Sequence, residues 1–159
     1  MTLVLTAAAI AFSILAHELA HGYAALWHGD ATARRAGRLT WNPFKHVDPV
    51  LSVFLPVASF LFSGGHVIVG GARPVPVNPF NYTGRRDRAD LIVSLAGVAA
   101  NACVVIVCFA IVAVIGSRLA LTRVIAANIA LIVFNLLPIA PLDGWRVLQC
   151  VRRRRARSR

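Results

Sequence analysis

Four stretches of this chain, residues 2–27, 49–71, 91–116 and 121–139, are long, apolar and nearly free of charge. Each approaches or exceeds the ~20 residues that a membrane-spanning helix needs. With 58% hydrophobic residues in 159, the chain reads as an integral membrane protein rather than a soluble domain. The start lacks the basic segment of a secretory signal, and its apolar run continues past any cleavage site, so a retained helix is expected. Cys103, Cys108 and Cys150 form neither an even-numbered framework nor a CxxC clip, and core packing is their expected role.

Into the first apolar run the sequence sets HELAH, residues 17–21, with the only glutamate of the chain, Glu18. On a helix, residues four apart face the same way, so His17 and His21 can grip one metal ion. Glu18, beside the first ligand, can take a proton from an activated water while staying out of the coordination shell. A carboxylate at the centre of a spanning helix costs ~3 kcal/mol to insert, which makes a functional site the default explanation.

Catalytic zinc commonly takes three protein ligands. A downstream glutamate is excluded, because none exists, and the HExxHxxGxxH scheme fails, because Ala24 replaces its glycine and His28 falls one residue late. Among the aspartates, Asp48 and Asp90 precede apolar runs as N-caps would. Asp30 and Asp87 sit among arginines, where solvated pairing is expected. Asp143 differs: it lies in NLLPIAPLDG, where Pro138 and Pro141 break the helix and Gly144 permits close backbone approach. Asp143 is the best third ligand.

Taken in order, HELAH, GGARPVPVNP, SLAGVAAN and NLLPIAPLDG resemble the site-2 protease group of intramembrane zinc metalloproteases over most of the chain. The resemblance implies one zinc ion held by His17, His21 and Asp143, with Glu18 as general base and Asn135 near the scissile carbonyl. It also implies a compact member without PDZ or CBS domains. One departure is Gly97-Val98 where family members commonly show Gly-Pro, and Asn101 nearby is expected to make a buried interhelical hydrogen bond.

The ligand set constrains the threading. His17 lies ~21 Å along the first helix and Asp143 follows the last one, so the two can meet only if those helices are parallel. Residues 91–116 then run the other way, and 49–71 must enter and leave on one face as a re-entrant hairpin divided at Gly64-Gly65. The expected architecture is therefore an all-α integral membrane protein. It has about three full transmembrane helices, a re-entrant apolar hairpin and a short extended segment, in one domain, 1–151, with a basic tail, 152–159. This threading gathers fifteen of the seventeen Lys and Arg residues on one side, with Arg118 and Arg123 opposite, and so places the crowded side and the tail in the cytoplasm.

The formal charge of +11 and the tail RRRRARSR invite a nucleic-acid partner. No aromatic residue interleaves with that tail and it follows directly on a membrane segment, so an anionic lipid surface is the expected partner. The proline-rich GGARPVPVNPFNY cannot be regular helix, and it could offer backbone hydrogen bonds to an unwound substrate. His66 just before it is expected at the membrane interface.

These features predict a zinc endopeptidase that cleaves within or beside the transmembrane segment of a membrane protein; the small size is compatible with an oligomer. Two alternatives remain: a catalytically silent zinc-binding scaffold, or a metal or ion transporter using the same His and Asp residues. Transport ordinarily calls for more spans, often in repeats, than this chain has.

Overall fold

A computed structural model describes residues 2–66 and 70–157, and among them every regular element is helical. The first helix, α1 (Thr2–Trp27), runs unbroken through HELAH; alanine and leucine, its commonest residues, are strong helix formers. It stops where Gly29 takes φ +97°. There the Asp30 N–H reaches the Ala25 carbonyl at 2.9 Å and the Gly29 N–H reaches that of Leu26 at 3.0 Å. This pair of bonds is a Schellman ending, and it delivers Asp30 to a fixed place beside the one-turn α2 (Thr32–Arg35).

Asp48 caps the next element as expected, accepting from the Val50 and Leu51 N–H groups. A π-helical turn, Pro49–Phe54, runs into α3 (Leu55–Phe62). Gly64 and Gly65, with φ of +64° and +87°, then turn the chain. By Gly71 it has returned beside Leu51, whose carbonyl accepts the Gly71 N–H at 2.9 Å, while the Ser52 hydroxyl donates to the Gly71 carbonyl at 2.7 Å. Segment 49–71 thus leaves and returns at one level, the geometry of a hairpin rather than of a crossing; its residues 67–69 lie outside the described ones.

Helix α4 (Arg86–Ile115) runs antiparallel to α1, with Val93 beside His21 and Asn101 beside His17. Helix α5 (Leu119–Asn135) runs parallel to α1: Asn128 meets Ser13, and Asp143, beyond its end, meets His17 and His21. The last helix, α6 (Asp143–Arg157), lies along α4 and passes residues 151 and 152 without a break. α1 and α4 have the length and hydropathy to cross a bilayer, whereas α5 has 17 residues. The parallel first and last apolar helices, with α4 reversed between them, match the threading expected from a meeting of His17 with Asp143.

The distribution of side chains inverts that of a water-soluble bundle. Phe62 and Val114 are 93% and 84% exposed, while Ser94, Asn101 and Asn128 are fully buried. Apolar faces outside and amides inside suit a lipid solvent, where polar groups must find partners within the protein.

Three expectations need correction. Asp90 does not cap α4: the helix begins earlier, at Arg86, and Asp90 lies buried within it. Its Oδ2 accepts from Arg153 Nη2 at 2.8 Å and from the Cys150 thiol at 3.2 Å, and Arg146 stands 3.6 Å from Oδ1. Asp30 is not solvated but fully buried, at the centre of a hydrogen-bond knot described below. Of the cysteines, Cys108 and Cys150 are buried, whereas Cys103 is exposed on the outer face of α4.

Candidate metal centre

Helical spacing puts His17 and His21 one turn apart on the inner face of α1, with their Nε2 atoms 3.1 Å from each other. Asp143 opens α6 and brings Oδ2 to 3.1 Å from His21 Nε2 and 3.3 Å from His17 Nε2. All three residues are buried. Bonds of about 2.0 Å to a tetrahedral zinc set neighbouring ligand atoms roughly 3.3 Å apart. The two nitrogens and the oxygen therefore fit one face of such a tetrahedron.

Helix α4 forms the back of the cluster. The Val93 carbonyl lies 2.6 Å from His21 Nδ1, which as a donor there leaves Nε2 bare and facing inward. The Asn101 amide lies 3.2 Å from His17 Nδ1, so the expected interhelical hydrogen bond is present and its partner is a candidate ligand. Gly97 comes closest: a Cβ there would sit 2.4 Å from His21 Nε2 and 2.6 Å from His17 Nε2. The sequence signal for Gly97 was a small residue inside an apolar run; what it clears room for depends on the register of α1 against α4.

The connection before α6 is shaped for close approach as well. At Gly144 a Cβ would meet the Leu136 carbonyl oxygen at 2.2 Å, so the residue after Asp143 has room for no side chain. Asn135, in the last turn of α5, is half-buried and donates from its amide to the Leu131 carbonyl at 2.9 Å, a bond within its own helix. His66 is exposed and is not part of the His17–His21–Asp143 cluster.

Glu18 points to the extended segment. Its Oε2 accepts the Val75 N–H at 2.9 Å, which ties GGARPVPVNP to α1 one residue from His17. Other groups hold the same segment: the Arg73 N–H donates to the His46 carbonyl at 2.7 Å, Arg38 Nη2 donates to the Arg73 carbonyl at 2.8 Å, and the Asn78 N–H donates to Asp30 at 2.6 Å. Asp30 also accepts from Asn81 Nδ2 at 2.9 Å, from the Thr32 N–H at 3.0 Å and from the Thr32 hydroxyl. Burial raises the pKa of this carboxyl, but the hydrogen bonds from Asn78, Thr32 and Asn81 outweigh it and hold the group below its usual value.

An apolar cavity of about 860 Å³ opens between Ile14 of α1, Phe134 of α5, and Pro56 and Gly70 of the hairpin. Leu15, two residues before His17, and Leu137, two residues after Asn135, also line it.

A helical bundle that closes two imidazoles and a carboxylate on one point, inside an apolar exterior, defines a class of proteins with a buried site able to hold a metal ion. Comparison with curated proteins narrows the class. The chain is 36% identical over 150 residues to "Putative zinc metalloprotease YwhC" of Bacillus subtilis, covering 86% of this chain and 64% of that protein. It is 34% identical to "Putative zinc metalloprotease Rip2" of Mycolicibacterium smegmatis and 32% identical to the Rip2 protein of Mycobacterium tuberculosis, in both cases over 86% of this chain and 53% of the relative. Over most of its length the chain is therefore homologous to proteins named as zinc metalloproteases, in keeping with the resemblance its motifs carry. It spans about half to two thirds of their length. None of the family models compared matches it, and no solved structure does.

Proposed function

We propose that this chain is an intramembrane zinc endopeptidase that hydrolyses a peptide bond within or next to the transmembrane segment of a membrane protein. The observation that carries this reading is the triangle of His17 Nε2, His21 Nε2 and Asp143 Oδ2, with sides of 3.1 to 3.3 Å, one residue from a carboxylate. His17, His21 and Asp143 would hold the metal, and Val93 and Asn101 would orient the two imidazoles. Ligation through His17 Nε2 puts the ring proton on Nδ1, where the Asn101 amide must then present its oxygen.

Zinc held there supplies Lewis acidity to the peptide carbonyl and makes water nucleophilic at neutral pH. Glu18 takes the proton of the attacking water on a carboxylate oxygen and returns it to the leaving amine nitrogen as the C–N bond breaks. The Asn135 amide, released from Leu131, donates to the oxygen that gains negative charge. The apolar cavity between α1, α5 and the hairpin receives the flanking side chains of the substrate, and the extended segment held by Asp30 lines its unwound backbone. The basic loops and α6 face the cytoplasm under the positive-inside rule.

Glu18→Gln tests the assignment. The variant is expected to bind zinc as the native chain does and to lose cleavage of a single-span membrane protein by a factor of about 10³ or more. Native-level cleavage by that variant, with zinc measured in the same samples, would remove Glu18 from the mechanism.

A further inference from the structure

Residues 85–90 at the start of α4 and 146–155 along α6 together carry eight arginines and two carboxylates. The two segments lie against each other, joined by Arg153 and Cys150 at Asp90. Asp90 is shared by Arg146 and Arg153 on the inner side of this contact. On the outer side lies a cavity of about 910 Å³, lined by Arg85, Arg86 and Arg88 from α4 and by Arg154 from α6. Asp87 is the one carboxylate in its wall. Gly84, Leu91 and Ile92 complete the lining, and with Leu91 the apolar run of α4 begins.

Four guanidiniums against the single Asp87 carboxylate leave an excess of like charge from two packed helices around a common space, which repels unless a further anion stands between them. Guanidinium groups are weakly hydrated forks that match phosphate oxygens in pairs, so the chemistry of the wall selects phosphate over a simple halide. Leu91 and Ile92 select further. They place a hydrocarbon surface at the point where the polar wall meets the apolar run, which suits an anion carrying acyl chains and gives a free phosphate nothing to contact.

We propose that this cavity binds the phosphodiester headgroup of an anionic phospholipid, with its acyl chains along Leu91 and Ile92, and that the lipid clamps α6 to α4. The lipid neutralises cations from both helices at once, where Asp90 alone serves only Arg146 and Arg153. The binding stands independently of the metalloprotease reading; its effect on the placement of Asp143, the first residue of α6, rests on that reading.

The test places the full chain in nanodiscs of phosphatidylcholine, with or without phosphatidylglycerol, and follows amide hydrogen exchange over α6. Phosphatidylglycerol is expected to slow that exchange about tenfold. The triple variant Arg86→Gln, Arg88→Gln, Arg154→Gln is expected to lose the effect, and Arg118→Gln with Arg123→Gln, outside the cavity, to keep it. If the triple variant does not fold, Arg154→Gln alone is expected to weaken the protection. Equal exchange in the two lipids overturns the proposal, as does full protection in the triple or the Arg154 variant. Protection produced by inorganic phosphate in phosphatidylcholine discs overturns the lipid as its source.

Discussion

Gly97 decides whether the clustered imidazoles of His17 and His21 have room at all. Adding one methyl group there puts a carbon 2.4 Å from His21 Nε2 and 2.6 Å from His17 Nε2, so either α4 moves back or an imidazole turns away. Gly97→Ala is expected to lower zinc affinity by about 100-fold or more, at the upper end of what is lost when the surroundings of a metal ligand are disturbed. Zinc titration of the purified variant checks this, and native affinity would show that the cluster tolerates the added carbon. The meeting of His17, His21 and Asp143 was legible in the sequence, because HExxH fixes two imidazoles on one helical face and a Pro-broken turn marks Asp143. Gly97 and the Val93 carbonyl were not, because clearance and backbone acceptance are set by interhelical register, to which a local pattern is blind.

At the scale of elements, two buried carboxylates fix the parts that carry the site. Asp30 and Asp90 look like loop and cap residues from their neighbours in sequence, yet their partners Asn78 and Arg153 lie 48 and 63 residues away. Folding holds Asp30 below its usual pKa of 3.8. The folded chain therefore stays ionised where the unfolded chain takes up a proton, so the stabilisation is complete above pH 3.8 and is lost as pH falls through the folded value. Asp30→Asn is expected to cost about 1–3 kcal/mol near neutral pH, and the gap to the native chain to narrow below pH 3.8 in denaturant unfolding followed in detergent. A gap that widened in acid would contradict the sign. Around Asp90, burial first and then the carboxylate itself push the Cys150 thiol up to about 11. Cys150 is expected to resist maleimide at pH 8 until the protein is unfolded, and Asp90→Ala to increase its labelling by loosening α6. Mass spectrometry of the labelled peptide reports both.

For the whole molecule, threading follows from the hairpin as much as from the long helices. Leu51 and Gly71 are hydrogen-bonded neighbours, so cysteines placed at 51 and 71 in a cysteine-free background are expected to react with an impermeant thiol reagent from the same side of a vesicle. A cysteine at 118 should react from the other side, and labelling of 51 and 71 from opposite sides would break the topology. The number of long apolar runs was plain in the sequence because chain length against bilayer thickness is a simple ruler; the return of 49–71 was read from Gly64-Gly65 and the threading, whereas the Leu51–Gly71 bond that closes it joins backbone groups that no local pattern relates. One consequence concerns synthesis. His21 and Asp143 are 122 positions apart, and the carboxylate comes last. A ribosome releases both imidazoles long before their third companion, so a chain made only as far as α5 carries an incomplete candidate metal centre. Under the proposed function, hydrolytic power would arise only once Asp143 has been made, and a nascent chain that has not reached it would be spared from cutting itself or its insertion machinery.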